Sequence, residues 1–456
     1  MVDNTLFLPG LSPVAGKAVV ARFDGGRLSS EGGLLALREV ERRLGLSARL
    51  AGCLVDRRAP DRVRHSLAEI IGFRMLMIAA GYEDGNDAGR LRSDPMFKLA
   101  LDRLPTGEEL CSQSTISRLE NLPDMRALLR LGRAFVEQYC GSFRAVPKRI
   151  VLDLDDTFDR VHGGQQLRLF NAFYDDYGFQ PIVVFDGEGR FVTALLRPGK
   201  RPSGVEIRGF VRRLIGAIRA HWPRVEILLR ADSHYAAPEV FDWCRANRVD
   251  WIFGLAGNVA LARHVTALEK STAARFNAAP ARGKVRRFAQ FYDAAQSWRR
   301  VERIIARVEA GSAGTDTRFI VTNLEAGRAK HLYERLYCAR GQAENHIKAW
   351  KNHLAPTGQA RGLKAHDRTS CHAAEANQFR LFLHAGAYWL LWSIRRVMPK
   401  RSAWRVVQFD TLRLRLIKLA ARVVELKTQI KIHLPSSAPD QTIFALLLDR
   451  LPRLVT

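Results

Sequence analysis

Directly after Pro147 the chain reads Arg149-Ile150-Val151-Leu152-Asp153-Leu154-Asp155, an alternating, β-branched run that fits a buried strand and gathers its acids at one end. Further strand signals stand at Pro181–Phe185, Arg190–Leu196, Val225–Arg230 and Trp251–Leu255, with a helical run between Val205 and Ala220. Strands alternating with helical periodicity call for a mixed α/β core.

The flanking regions read differently. Residues 1–147 are expected to be mainly helical, punctuated at Asp24-Gly25-Gly26 and Glu31-Gly32-Gly33 and carrying a periodic run from Ser66 to Ala80. Near the end of this region Cys111-Ser112-Gln113-Ser114-Thr115-Ile116-Ser117-Arg118-Leu119-Glu120-Asn121 is similar to the recognition helix of a helix-turn-helix, with Thr115 and Arg118 as candidate DNA contacts. The same stretch also fits an ordinary N-capped helix that buries Ile116 and Leu119. The expected organisation is a helical N-terminal region (1–147), an α/β domain in two parts (148–257 and 317–400), an Arg-rich insertion between them (258–316), and a C-terminal region (401–456).

Charge narrows the function classes. The 456 residues hold 72 Lys and Arg against 46 Asp and Glu, a net charge of +26. Such an excess attracts phosphate backbones and releases their counterions, so nucleic acid is the expected partner. The N-terminus carries no basic leader, and the most apolar stretch, Leu381–Ile394, is too short to span a bilayer. It is expected to be a buried core helix. Six cysteines without a C-x-x-C pair point to a reduced, cytoplasmic setting, and a zinc set drawn from Cys338, His346, His353, Cys371 and His372 matches no standard spacing.

Tyr337, Arg340, Glu344 and Lys351 follow one another at steps of 3, 4 and 7, all helical repeats, and Lys348 adds a cation one turn after Glu344. A shared helix face with an acid between cations suits the meeting of a metal-binding carboxylate and a polyanion, although a solvated face with i,i+4 ion pairs has the same pattern. Asp155 and Asp232 stand at expected strand ends. With Glu344 they could hold two Mg²⁺ ions about 3.5–4 Å apart and support phosphodiester chemistry. Asp153 lies two residues before Asp155, hence on the same side of the strand, and is the backup first ligand.

The D-x-D-x-T pattern of Asp153, Asp155 and Thr157 also fits haloacid-dehalogenase-like phosphatases, whose first Asp is a nucleophile. No paired-acid G-D-x-x-x-D loop follows, and that reading leaves the charge and the Tyr337–Lys351 segment unexplained. Taken together, the residues resemble the DDE transposases of bacterial insertion sequences, in the group with a Y-x₂-R-x₃-E-x₆-K signature and of the IS-thirteen-eighty type. Tyr337, Arg340, Glu344 and Lys351 fit that signature, Arg230-Ala231-Asp232 looks like its second acid, and Phe319-Ile320-Val321-Thr322-Asn323-Leu324 looks like the strand before its catalytic helix. Asp24–Gly33, Gly81–Asp87 and Leu91–Pro95 extend the resemblance toward the N-terminus.

The resemblance implies a ribonuclease-H-like mixed sheet flanked by helices, with an insertion between the second and third acids. It implies Asp155, Asp232 and Glu344 as Mg²⁺ ligands, with Mn²⁺ able to substitute. Arg340, Lys348 and Lys351 would meet phosphates, Tyr337 would position the backbone or a base, and Trp298 could stack an unpaired base. It further implies cut-and-paste transposition through hairpin ends by a homodimer on DNA, in the cytoplasm at the nucleoid. A relative that binds DNA but no longer cuts would share these motifs.

Overall fold

The computed structural model describes residues 7–8, 10–279, 283–351 and 369–454. Its contacts divide into two units, one made of the chain up to Leu122 together with Gly386–Leu454, the other holding most of the residues between.

In the second unit the run expected as a strand forms β1 (Arg149–Asp156). It is followed by β2 (Ile182–Asp186), β3 (Phe191–Leu195), β4 (Glu226–Ala231), β5 (Asp250–Leu255), β6 (Lys284–Asp293), β7 (Glu302–Gly311) and β8 (Gly314–Thr322). These strands make one sheet in the order β6-β7-β8-β5-β4-β1-β2-β3. β1, β4 and β5 run parallel, while β2, β3 and β6–β8 pair antiparallel with their neighbours. The parallel centre is the most apolar part, with Leu152, Leu228, Leu229 and Ile252 wholly shielded from solvent, as expected of strands covered on both faces.

Helices flank the sheet. α1 (Met125–Gly141) starts where the Asp124 side chain accepts from the Ala127 N–H, and it packs on β3. α2 (Gly204–His221) opens with a capping box of Ser203 and Glu206 and buries Ile207, Val211, Leu214, Ile215 and Ile218, the spacing of one helix face. α3 (Pro238–Ala246) packs on α2 and β5. The region expected as an insertion contributes α4 (Val259–Asn277), β6 and β7, and β8 joins the two strands to β5. It therefore widens the central sheet.

The first unit contains the run from Ser66 as the helix Leu67–Ala80, capped by the Ser66 side chain. Within it Arg74 is buried, bonded through Nε to Glu120 at 3.0 Å and through its Nη atoms to the Tyr82 and Glu83 carbonyls. Two domain boundaries differ from the sequence expectation. α1 belongs with the sheet, so the division falls at 122/123 and not near 147. The C-terminal strand Ala421–Glu425 pairs with Leu28–Ser29 and with Ile430–His433, which unites the two ends of the chain in one unit. Leu381–Ile394 lies inside the helix Ala374–Val397 and is buried from Leu381 to Leu383 and from Ala387 to Trp392. Among the described residues no helix is long and apolar enough to cross a membrane.

Candidate functional site

The site grows out of the parallel pairing of β1 and β4. Their register sets Arg230 opposite Asp153, and Asp232, directly after β4, is close enough to Asp155 for the two carboxylates to repel. The three acids at the end of β1 have separate fates. Asp153 is fully shielded, and both its oxygens accept from Arg230, at 2.6 and 2.7 Å. The same guanidinium donates to the Leu336 carbonyl at 2.8 Å, tying the sheet to the segment that carries Tyr337 and Arg340. Asp153, expected as the backup ligand, thereby has both oxygens engaged by Arg230.

Asp155 points to Arg340, whose Nη1 lies 3.1 Å away, while Nη2 of the same guanidinium stands 3.8 Å from Glu344. Burial pushes the Asp155 carboxyl up to about 7, with Asp232 and Asp156 adding repulsion and Arg340 opposing them. Burial likewise raises the Asp232 carboxyl. Asp156 is the acid that sequence reasoning passed over. Its side chain is 3% exposed, and the Gln180 amide donates to Oδ2. Asp156, Asp232 and His234 bring one ligand atom each within 4.8 Å of one another, forming a group of metal-binding type among the described residues. His234 was also missed, although it stands two residues after Asp232; the nearby Asp156 carboxylate raises its imidazole pKa.

The helix bearing Glu344 begins later than the spacing predicts. Residues Leu332–Tyr337 wind as a π-helical turn and Cys338–Arg340 as a 3₁₀ turn, and α5 spans Gly341–Lys351. The four signature residues accordingly do not share one α-helical face. Gly341 is the first residue of α5, so it carries no mid-helix penalty, and a methyl group there would meet open space. Glu344 is more than half exposed. The Lys351 ammonium is buried and donates to Thr157 Oγ1 and the Phe158 carbonyl, each at 2.7 Å, holding the chain just beyond β1. This corrects the expected phosphate contact of Lys351, because its protons go to protein acceptors. Lys348 is exposed on α5.

Tyr337 and Arg340 line a cavity of about 380 Å³ with Asp232, Gly254, Arg307 and Arg318. Gly254 is required there. A Cβ at that position would sit 2.8 Å from the Tyr337 hydroxyl and 2.9 Å from the Ser233 backbone nitrogen. Gly254→Ala is expected to destabilise the unit by about 1–3 kcal/mol through overpacking, measured as a lower midpoint in denaturant unfolding.

The remaining expected contacts lie elsewhere. Thr115 and Arg118 stand on the helix Gln113–Glu120 of the first unit, where Arg118 is exposed and donates to Thr115 Oγ1 at 3.2 Å while Ile116 and Leu119 are buried. Trp298 packs edge-on against Phe241 with ring centres 5.3 Å apart, as a packing residue does. Of the zinc set, His353 lies outside the described residues, and the others belong to no metal-binding group among them.

Comparison with known proteins adds the family. No curated protein matches the chain. A solved structure of the synaptic complex of piggyBac transposase with hairpin DNA matches at 9% sequence identity and a TM-score of 0.37, covering 90% of this chain and 88% of that one. A family model described as transposase DDE domain group 1 matches residues 11–456. Matched over nearly its whole length, the chain belongs to the family of transposase DDE domains, group 1.

Proposed function

We propose that this chain cleaves DNA at the ends of an insertion sequence and joins the 3′ ends to target DNA, using a ribonuclease-H-like core formed by β1–β5 with α1 and α2. The observation that carries the reading is that Asp155 and Asp232 stand close enough for their carboxylates to repel, while Arg340 links Asp155 to Glu344. The strand order β3-β2-β1-β4-β5, with the first three antiparallel and the last two parallel to β1, supports the core assignment. The net charge of +26 supports a DNA partner.

The donor set fits a divalent cation. Two buried carboxylates that repel one another, Asp155 and Asp232, would be stabilised by a shared cation, and the all-oxygen set they form with the exposed Glu344 suits Mg²⁺. In this reading Asp155, Asp232 and Glu344 hold it, Asp155 and Asp232 at the strand ends and Glu344 across Arg340. Held by these residues, a divalent ion would supply activation of the attacking oxygen and charge compensation at the leaving oxygen.

The protein's own groups position the DNA. The planar guanidinium of Arg340 would donate to a phosphate in a bidentate pair. Tyr337, half-buried beside the cavity, sets the position of the sugar-phosphate backbone. Lys348 adds an exposed charge for more distant phosphates. Lys351 acts on the substrate only through the strand end, by fixing Thr157 and Phe158. Thr115 and Arg118 would contact DNA, and two copies of the chain would bring two DNA ends together.

Asp153 disfavours a phosphatase: a nucleophile with both oxygens bound to Arg230 and no solvent access cannot reach a phosphomonoester. The test is Glu344→Gln in the full chain with DNA carrying the element's terminal repeats. Mg²⁺-dependent strand cleavage is expected to fall by about 10²-fold or more, with DNA affinity in a gel-shift titration changed less than about threefold. Cleavage that survives the substitution would remove Glu344 from the site.

A further inference from the structure

The His234 imidazole carries a polar atom that its protein surroundings leave unused. Nδ1 is shielded from solvent and has no hydrogen-bond partner. It lies 3.7 Å from Asp156 Oδ1 and 3.8 Å from Asp232 Oδ2, outside the range of an N–H···O bond. The two carboxylates are arranged around it. Asp156 Oδ2 is taken by the Gln180 amide, and Asp232 Oδ1 accepts from the His234 backbone N–H at 2.9 Å. Each acid therefore has one oxygen fixed by a protein donor and turns the other toward Nδ1. Cis ligands of an octahedral ion with bonds near 2.1 Å stand about 3 Å apart, and trans ligands about 4.2 Å. The observed separations fall between these, so small shifts of the three side chains would bring their ligand atoms around one cation.

We propose that His234 supplies a nitrogen ligand, through Nδ1, to a divalent cation held together with Asp156 and Asp232, and that this position takes Mn²⁺ in preference to Mg²⁺. The inference rests on the reading that the strand-end acids hold metal, and it adds a second position that shares Asp232 with the first. Imidazole nitrogen binds transition ions better than it binds Mg²⁺, which favours oxygen donors and sheds water reluctantly. The Gln180 amide serves as an outer support that fixes the Asp156 carboxylate for ligation.

The test uses Mn²⁺ alone with the full-length protein, free of DNA, and so does not depend on cleavage. Spin-echo modulation of bound Mn²⁺ is expected to show one directly ligated ¹⁴N, converted to the ¹⁵N pattern when histidine is labelled. His234→Ala and His234→Gln are expected to abolish the nitrogen coupling and to weaken Mn²⁺ binding by about tenfold or more, with Mg²⁺ binding changed less than about threefold. Circular dichroism melting reports whether each variant is folded, and the labelled wild-type protein tests histidine ligation if a variant is not. Absence of nitrogen coupling in the wild-type protein, or its persistence in a folded His234 variant, overturns the proposal. DNA cleavage without nitrogen coupling refutes this inference alone; nitrogen coupling in a protein that never cuts DNA supports it while refuting the proposed transposition chemistry.

Discussion

Replacing Asp232 by Asn is expected to lower Mg²⁺-dependent cleavage by about a thousandfold or more, the largest catalytic loss of any single substitution in the chain. Asp232 follows the strand parallel to β1, its carboxylate repels both Asp155 and Asp156, and its Oδ2 is turned toward His234. No other acid is common to both groups of candidate ligands. A catalytic divalent ion contributes several kcal/mol to the transition state, and about 1.4 kcal/mol corresponds to tenfold in rate, so losing the shared ligand costs about three orders of magnitude. The substitution keeps the size of the side chain and its acceptor for the His234 N–H, so the fold is expected to persist. It also removes a negative charge from a chain already at +26, which leaves DNA affinity equal or slightly stronger. Single-turnover cleavage and a gel-shift titration on the same preparation check both halves. A variant that retains a tenth of the wild-type cleavage rate would exclude Asp232 from the site.

Asp153→Asn has its largest effect on stability. The Asp153 and Arg230 side chains are 0% and 5% exposed and make two short bonds. Breaking such a pair from one side leaves a buried guanidinium without its counter-charge, a loss of about 3–5 kcal/mol. For a unit of this size that is a fall in melting temperature of roughly 6–20 °C. Because Arg230 also holds the Leu336 carbonyl, cleavage is expected to suffer indirectly, in proportion to the unfolded or displaced fraction. The double variant Asp153→Asn with Arg230→Met is expected to recover part of the stability, since the uncompensated charge is gone. Thermal melting of the single and double variants decides the matter. An unchanged melting temperature in Asp153→Asn would show that the pair carries no stability, and a loss of metal affinity without destabilisation would make Asp153 a ligand after all.

Much of this architecture is legible in short-range pattern. The alternation of Arg149–Asp155 places a strand because residues two apart share a face, and the helices Leu67–Ala80 and Gly204–His221 declare themselves through their apolar spacing. The start of α5 was hidden, because the steps from Tyr337 to Lys351 suit a continuous helix and say nothing of the π-helical and 3₁₀ turns that precede Gly341. The pairing of Leu28–Ser29 with Ala421–Glu425 was hidden too, since it joins segments almost 400 residues apart and neither carries a signal for the other.

The acids mark the division most clearly. The sequence by itself determined that Asp153 and Asp155 end one strand, that Asp232 ends another, that Glu344 belongs to a cation-flanked helix, and that the chain attracts polyanions. These follow from periodicity and composition, which act locally or by simple summation. Only the tertiary structure decided what each acid faces. Alternation puts Asp153 and Asp155 on one side of β1, yet the first meets Arg230 and the second Arg340, because the register of β4 and the path of the chain before α5 bring different cations to neighbouring positions. Asp156 gained its place beside Asp232 and His234 in the same way, through contacts between strand ends 76 and 78 positions apart in the chain. A spacing rule reaches one turn of helix or one strand; the partner of a buried charge is set by whichever distant segment packs against it.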